Sequence, residues 1–141
     1  MIGYDLDGTL CAKGPKRPKP YFRQTGPERA AYSAALAAHY AGAELVCRPP
    51  GDKPYVIITG RKEQYRPETQ QWIDAHGLQP VALLMLDGAR TRANMVAHKV
   101  AACKEYDVTV YYEDDMAIAN AMAKAGVNVA LVCWGKKDGN A

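Results

Sequence analysis

Ile2-Gly3-Tyr4-Asp5-Leu6-Asp7-Gly8-Thr9-Leu10 is a short apolar run that breaks into two acids, a glycine and a hydroxyl. The run reads as a buried strand, with Asp5 at its C-terminal end. In an extended chain positions i and i+2 share a face, so Asp5 and Asp7 are expected to point the same way. Gly8 permits the tight turn that lets two carboxylates converge.

Four further apolar runs follow at regular intervals: Pro54 to Thr59, Val81 to Leu86, Val108 to Tyr112 and Val127 to Val132. Helical stretches separate them. Thr25-Gly26-Pro27-Glu28 has a capping hydroxyl, a proline for the first turn and an acid that complements the helix dipole. The Ala-rich run behind it extends to Tyr40, and Gly42 is placed to stop it. Pro67 opens a second helix that buries Trp72 and Ile73 and closes at Gly77; 92–105 and 116–125 read as two more. Strands alternating with helices of this length predict an α/β fold: a parallel sheet with helices on both faces. Ligands of such sheets bind at the carboxyl ends of the strands.

The 141 residues suit one domain, spanning 1–141. Within it, 11–26 is a basic, proline-rich loop and 43–54 a turn-rich insertion. No apolar run reaches the roughly 18 residues of a membrane span, and no signal-peptide pattern is visible at the start. Cys11, Cys47, Cys103 and Cys133 are scattered without a CxxC pair, which favours reduced thiols and a cytoplasmic protein.

Strand ends carry the chemistry. Asp5 and Asp7 follow the first strand. Thr59-Gly60-Arg61 follows the second, with a hydroxyl, backbone N–H groups and a guanidinium. Glu113-Asp114-Asp115 follows the fourth, and Lys99 lies on the helix before it. Carboxylates gathered from separate strands repel one another unless a cation joins them. An oxygen-rich cluster with open positions suits Mg²⁺, which takes one or two carboxylates plus water and phosphate oxygens. A carboxylate is also a known nucleophile toward phosphoryl groups, and a cation, a hydroxyl and a lysine supply the positive field that phosphoryl transfer needs.

These residues resemble the haloacid dehalogenase (HAD) superfamily of phosphohydrolases. Asp5-Leu6-Asp7-Gly8-Thr9-Leu10 is similar to its first motif, Val56-Ile57-Ile58-Thr59-Gly60 to its second, and Tyr111-Tyr112-Glu113-Asp114-Asp115 to its fourth. The resemblance implies a Rossmann-like core and a Mg²⁺-dependent phosphomonoesterase working through an aspartyl-phosphate. Asp5 would be the nucleophile, and Asp7 the acid for the leaving group and then the base for water. Thr59 and Lys99 would hold phosphoryl oxygens. Asp5, Asp7 through its backbone carbonyl, Asp114 and Glu113 form the implied metal set. Lys99 stands nearer the fourth motif than the family's lysine does, so Lys104, Arg90 and Arg92 compete for its role. The acid pair is Glu113-Asp114, with Asp115 as an alternative that also suits a helix cap.

Thr59-Gly60-Arg61, Tyr65-Arg66, Trp72-Ile73 and His76-Gly77-Leu78 are similar to the phosphatase domain of bacteriophage polynucleotide kinase-phosphatase. That resemblance implies DNA or RNA 3′-phosphate ends, or nucleotides, as substrate. About 49 residues separate the first two motifs, too few for a large cap domain. Gly60, Arg61, Arg17 and Lys19 are the expected substrate contacts. Arg17 and Lys19 belong to a basic segment with Lys13, Lys16, Arg23 and Arg29, where Tyr21 or Phe22 offers a ring to a base. A small phosphorylated metabolite is the alternative substrate, and a non-catalytic phospholigand module the alternative function. His39, His76 and His98 read as structural or surface residues.

Overall fold

The structure, a computed structural model, describes residues 1–16 and 25–133. Five strands form one parallel sheet: β1 (Ile2–Tyr4), β2 (Tyr55–Lys62), β3 (Ala82–Leu86), β4 (Val110–Glu113) and β5 (Val129–Leu131). Their spatial order is β3-β2-β1-β4-β5. Four helices connect them: α1 (Gly26–Gly42), α2 (Arg66–Ala75), α3 (Arg92–Glu105) and α4 (Met116–Lys124). This is the Rossmann-like α/β architecture expected, without a large cap among the described residues. The chain winds outward from β1 to β3, then returns to lay β4 against the other side of β1. That reversal creates a switch point where a ligand crevice is expected, and β1 and β4 are the strands that end in acids.

Side-chain alternation builds two cores. Tyr55 and Ile57 of β2 join Tyr4, Trp72 and Ile73 on the face covered by α1 and α2. Val56 and Ile58 join Tyr111, Ala102, Cys103, Ile118 and Met122 on the face of α3 and α4. Trp72 is fully buried and donates its indole N–H to the Ala43 carbonyl at 2.7 Å, so it is core. Gly3 is needed on the second face, because a Cβ there would stand 2.9 Å from the Tyr111 ring.

The helix signals are in place. Thr25 and Glu28 form a reciprocal capping box on α1, and Thr91 and Asp115 cap α3 and α4. One strand is longer than its sequence suggests: β2 runs three residues past Thr59 to Lys62. A register shift between Ile58 and Lys62 lets it resume pairing with β3 at Leu86. Bulges of this kind re-aim side chains beside functional sites. The 43–54 segment is irregular, with Leu45 bridging Cys11. Among the described residues no helix is long and apolar enough to cross a membrane.

Candidate active site

The turn after β1 is wound around one acceptor: the Leu6 carbonyl takes N–H bonds from Thr9, Leu10 and Cys11 at 3.1, 2.9 and 3.1 Å. Gly8 has φ +80°, which strains any other residue, and a Cβ there would lie 2.2 Å from Asp114 Oδ2. The turn therefore touches the end of β4 directly, and glycine is what allows it.

Asp5, Glu113 and Asp114 come together at this contact, with one oxygen of each within 4.8 Å of the others. All three are buried. Lys99 enters from α3, 98% buried, with Nζ 2.5 Å from Glu113 Oε1 and 3.3 Å from Asp5 Oδ1. The other oxygen of Glu113 accepts the N–H groups of Asp114 and Asp115 at 3.0 and 3.1 Å. Glu113 thus has both oxygens occupied, whereas Asp114 Oδ2 lies 3.1 Å from the ammonium of Lys13, which reaches in on an exposed chain.

Burial pushes the Asp5 carboxyl well above its ordinary range; Lys99 pulls against this and Glu113 adds repulsion. Burial likewise raises Asp114, opposed by Lys13. Lys99 stays charged: burial disfavours its ammonium, but Asp5 and Glu113 outweigh that and raise its pKa. Three buried carboxylates thus face one buried cation. The donor set, all hard oxygens crowded at a switch point, fits a divalent cation such as Mg²⁺.

Asp7 does not share these partners, although it lies two residues on. Its carboxylate receives two bonds from the Arg61 fork, Nε to Oδ2 and Nη2 to Oδ1, both at 2.9 Å. His39 Nε2 lies 3.1 Å from Oδ1. Burial would raise this carboxyl, but His39 and Arg61 hold it far below the usual carboxylate range. Tyr40 lies flat against the guanidinium, 3.9 Å from its carbon, and Nη1 donates to Thr69 at 3.1 Å.

A cavity of about 340 Å³ opens over both carboxylates, lined by Asp5, Asp7, Thr59, Gly60, Lys99 and Asp114 among others. Six of the sequence-derived residues therefore meet at one site, with Glu113 beside them on the same wall. Arg61 needs correction as a substrate contact. It has no exposed surface and faces Asp7, because β2 runs on to Lys62 and strand alternation puts position 61 on the face of Tyr55 and Ile57, against Tyr40 of α1 and Thr69 of α2. Gly60 itself is tight, since a Cβ would stand 2.7 Å from Met95 Sδ. Arg17 and Lys19, with Tyr21 and Phe22, lie outside the described residues. Of the competitors for the lysine role, Arg92 and Lys104 line a different hollow along α3 and α4. Helical phase separates them: Lys99 shares the buried stripe of Ala102 and Cys103, three and four residues on. Arg90 reaches the cavity edge and donates Nε to the Gly60 carbonyl at 3.2 Å. Asp115 serves as a cap, accepting the Ile118 N–H at 3.1 Å.

His39 and Tyr40 are site residues that sequence spacing does not reveal, and Lys13, expected only as part of the basic segment, reaches Asp114. Of the structural or surface roles expected of His39, the structure gives it a partner in Asp7. The available signal was positional: it stands in the last turn of α1, the end that approaches the strand termini.

No family profile matches the chain, and no curated protein matches it. Solved structures do. One chain of the Pnkp1/Rnl/Hen1 RNA repair complex is similar over 93% of this chain, with TM-score 0.57 and 17% identity. This chain spans only 41% of that one. A putative phosphoglycolate phosphatase from Lactobacillus plantarum is similar over 98% of this chain and 88% of its own, with TM-score 0.62 and 14% identity. At these identities the likeness establishes a shared fold.

Proposed function

We propose that the chain is a phosphomonoesterase of haloacid dehalogenase type, and that Asp5 is its nucleophile. The observation that carries this is the buried Asp5 carboxylate at the mouth of β1, 3.3 Å from Lys99 and facing a cavity with Thr59 on its wall. Asp5 would attack phosphorus and form an acyl phosphate as the P–O bond to the alcohol breaks. The alcohol leaves with a proton, and water then cleaves the acyl phosphate to regenerate Asp5 and release inorganic phosphate.

Lys99 and the Thr59 hydroxyl are assigned to the phosphoryl oxygens, where charge develops. Glu113 is assigned to hold Lys99 in place. Asp5 and Asp114, with the Asp7 carbonyl, are the proposed Mg²⁺ ligands. When bound, Mg²⁺ would neutralise acid and phosphate charge together. Asp7 is assigned the proton transfers. It gives a proton to the leaving alcohol and regains one from water, and its clamp by Arg61 and His39 favours the carboxylate it becomes between the two steps.

A nucleic acid 3′-phosphate end is the favoured substrate. The cavity has no large cap over it among the described residues, and Lys13, Lys16 and Arg90 line it besides Lys99. The structural likeness to a chain of an RNA repair complex agrees with this. The likeness to a putative phosphoglycolate phosphatase supports a second reading, a small phosphorylated metabolite.

Phosphate release separates the two readings. The substrates are a 3′-phosphorylated oligonucleotide, a 5′-phosphorylated one and an aryl phosphate, each with Mg²⁺ and with chelator. The expected result is Mg²⁺-dependent release, fastest from the 3′-phosphorylated oligonucleotide, falling on the order of 10³-fold or more in Asp5→Asn. Release that survives Asp5→Asn overturns the mechanism. Equal rates on all three substrates remove the nucleic-acid assignment.

A further inference from the structure

Beyond the catalytic cavity lies a second hollow of about 410 Å³. The two share Tyr32, Leu36, Tyr40 and Arg90 on their walls, so one opens off the other. Their chemistry differs sharply. Asp5, Asp7, Glu113, Asp114 and Asp115 line the first. The second carries Lys62 and Arg90 and no carboxylate among its described lining, together with three tyrosines, Tyr32, Tyr40 and Tyr65.

Such a wall suits a ligand that is both anionic and flat. Tyr40 is a fixed surface: it is buried, its face lies on Arg61, and Tyr65 meets it edge-on with centroids 5.0 Å apart. Tyr32 and Tyr65 are half-buried beside it. Arg90 stands at the boundary, tied through Nε to the carbonyl of Gly60 in the first cavity. Ser33, Gln64 and Thr91 add hydrogen-bonding groups. The volume falls in the range of small-ligand sites.

We propose that this second hollow is a subsite for the penultimate nucleotide of a single-stranded nucleic acid end. The base lies against the tyrosines, and its phosphodiester lies between Arg90 and Lys62. The assignment rests on the phosphatase reading above for the neighbouring cavity. It makes the enzyme sensitive to what stands one unit behind the scissile phosphate.

The test compares kcat/KM on three substrates: an aryl phosphate, a nucleoside 3′-monophosphate and the corresponding dinucleotide 3′-phosphate. It uses the wild type, Lys62→Gln and Ser33→Glu, since both residues line only the second hollow. The wild type should prefer the dinucleotide to the mononucleotide about tenfold, within the worth of one stacked base plus a phosphate contact. Both variants should lose most of that preference and keep the aryl phosphate rate. Lys62→Gln should also flatten the salt dependence of oligonucleotide binding by about 0.7 in log–log slope.

No preference in the wild type, or a preference untouched in both variants, overturns the subsite. Equal losses on all three substrates overturn it as well, by assigning the residues to stability. If no substrate is turned over, the phosphatase reading fails by itself. Anisotropy of a labelled 3′-phosphorylated oligonucleotide then decides the subsite: weaker binding in both variants upholds it, and unchanged binding overturns it.

Discussion

Asp5 and Asp7 are two residues apart, face one cavity and live in opposite electrostatic conditions. Around Asp5, three buried carboxylates share one buried ammonium, and a second, Lys13, reaches in from an exposed chain. Around Asp7, a single carboxylate has a guanidinium fork and an imidazole to itself. The first group is short of positive charge and the second is already balanced. A buried charge is tolerable only when paired, so the first cluster has room for a further cation and the second does not need one. One turn of chain separates a cluster short of positive charge from a carboxylate whose charge is already matched.

The strongest way to break this contrast is at Lys99. Lys99→Met should cost on the order of 10²-fold or more in phosphate release. It should also cost roughly 3 kcal/mol of stability, because Glu113 is left buried and unpaired. If the Asp5 cluster lacks cations, millimolar Mg²⁺ should restore part of that stability and raise the melting temperature more than in wild type. No greater Mg²⁺ effect in the variant than in wild type would contradict the contrast.

Arg61→Met should be destabilising by about 2–3 kcal/mol in urea unfolding, and here Mg²⁺ should give no rescue. Arg61→Lys should recover little, since a point charge cannot replace the fork. The acid side provides a second measure. Asp7 is held below its unfolded value of about 3.9. Its contribution to stability is therefore present above that pH and lost as pH falls through the folded value. In Arg61→Met the loss of stability between roughly pH 5 and pH 2 should be shallower than in wild type. An unchanged slope would mean that Asp7 is not the group titrating.

The smallest effect is expected at Lys13. If its ammonium competes for Asp114, Lys13→Ala should tighten the apparent Mg²⁺ affinity by about two- to fivefold, the scale of a partly exposed ion pair. Weaker Mg²⁺ binding would make Lys13 part of the phosphate site instead.

Much of the fold was legible because it depends on local pattern. Apolar runs, capping residues and stop glycines fixed the order of strands and helices, and the acids at strand ends marked the crevice. Asp5, Thr59 and Asp114 are legible as strand-end residues and Lys99 as a lysine on the helix before β4, and all four line one cavity. The partners of Asp7 were hidden for a physical reason: Arg61 and His39 reach it across 54 and 32 positions. Only sheet register and helix docking determine such contacts. Arg61 in particular reads as a substrate contact just past the end of a strand. The strand runs on to Lys62 where its end was expected at Thr59, and its alternation carries Arg61 onto the face covered by α1 and α2.

The pairing of Lys13 with Asp114 bears on how the acid cluster stays folded without a metal ion. A cluster of acids alone would make folding hostage to metal supply, as in domains whose apo forms unravel. A tethered ammonium on an exposed chain would act as a resident counterion, one that a bound cation would displace. Chelation would then silence such an enzyme without melting it, and activity would follow free cation while abundance did not.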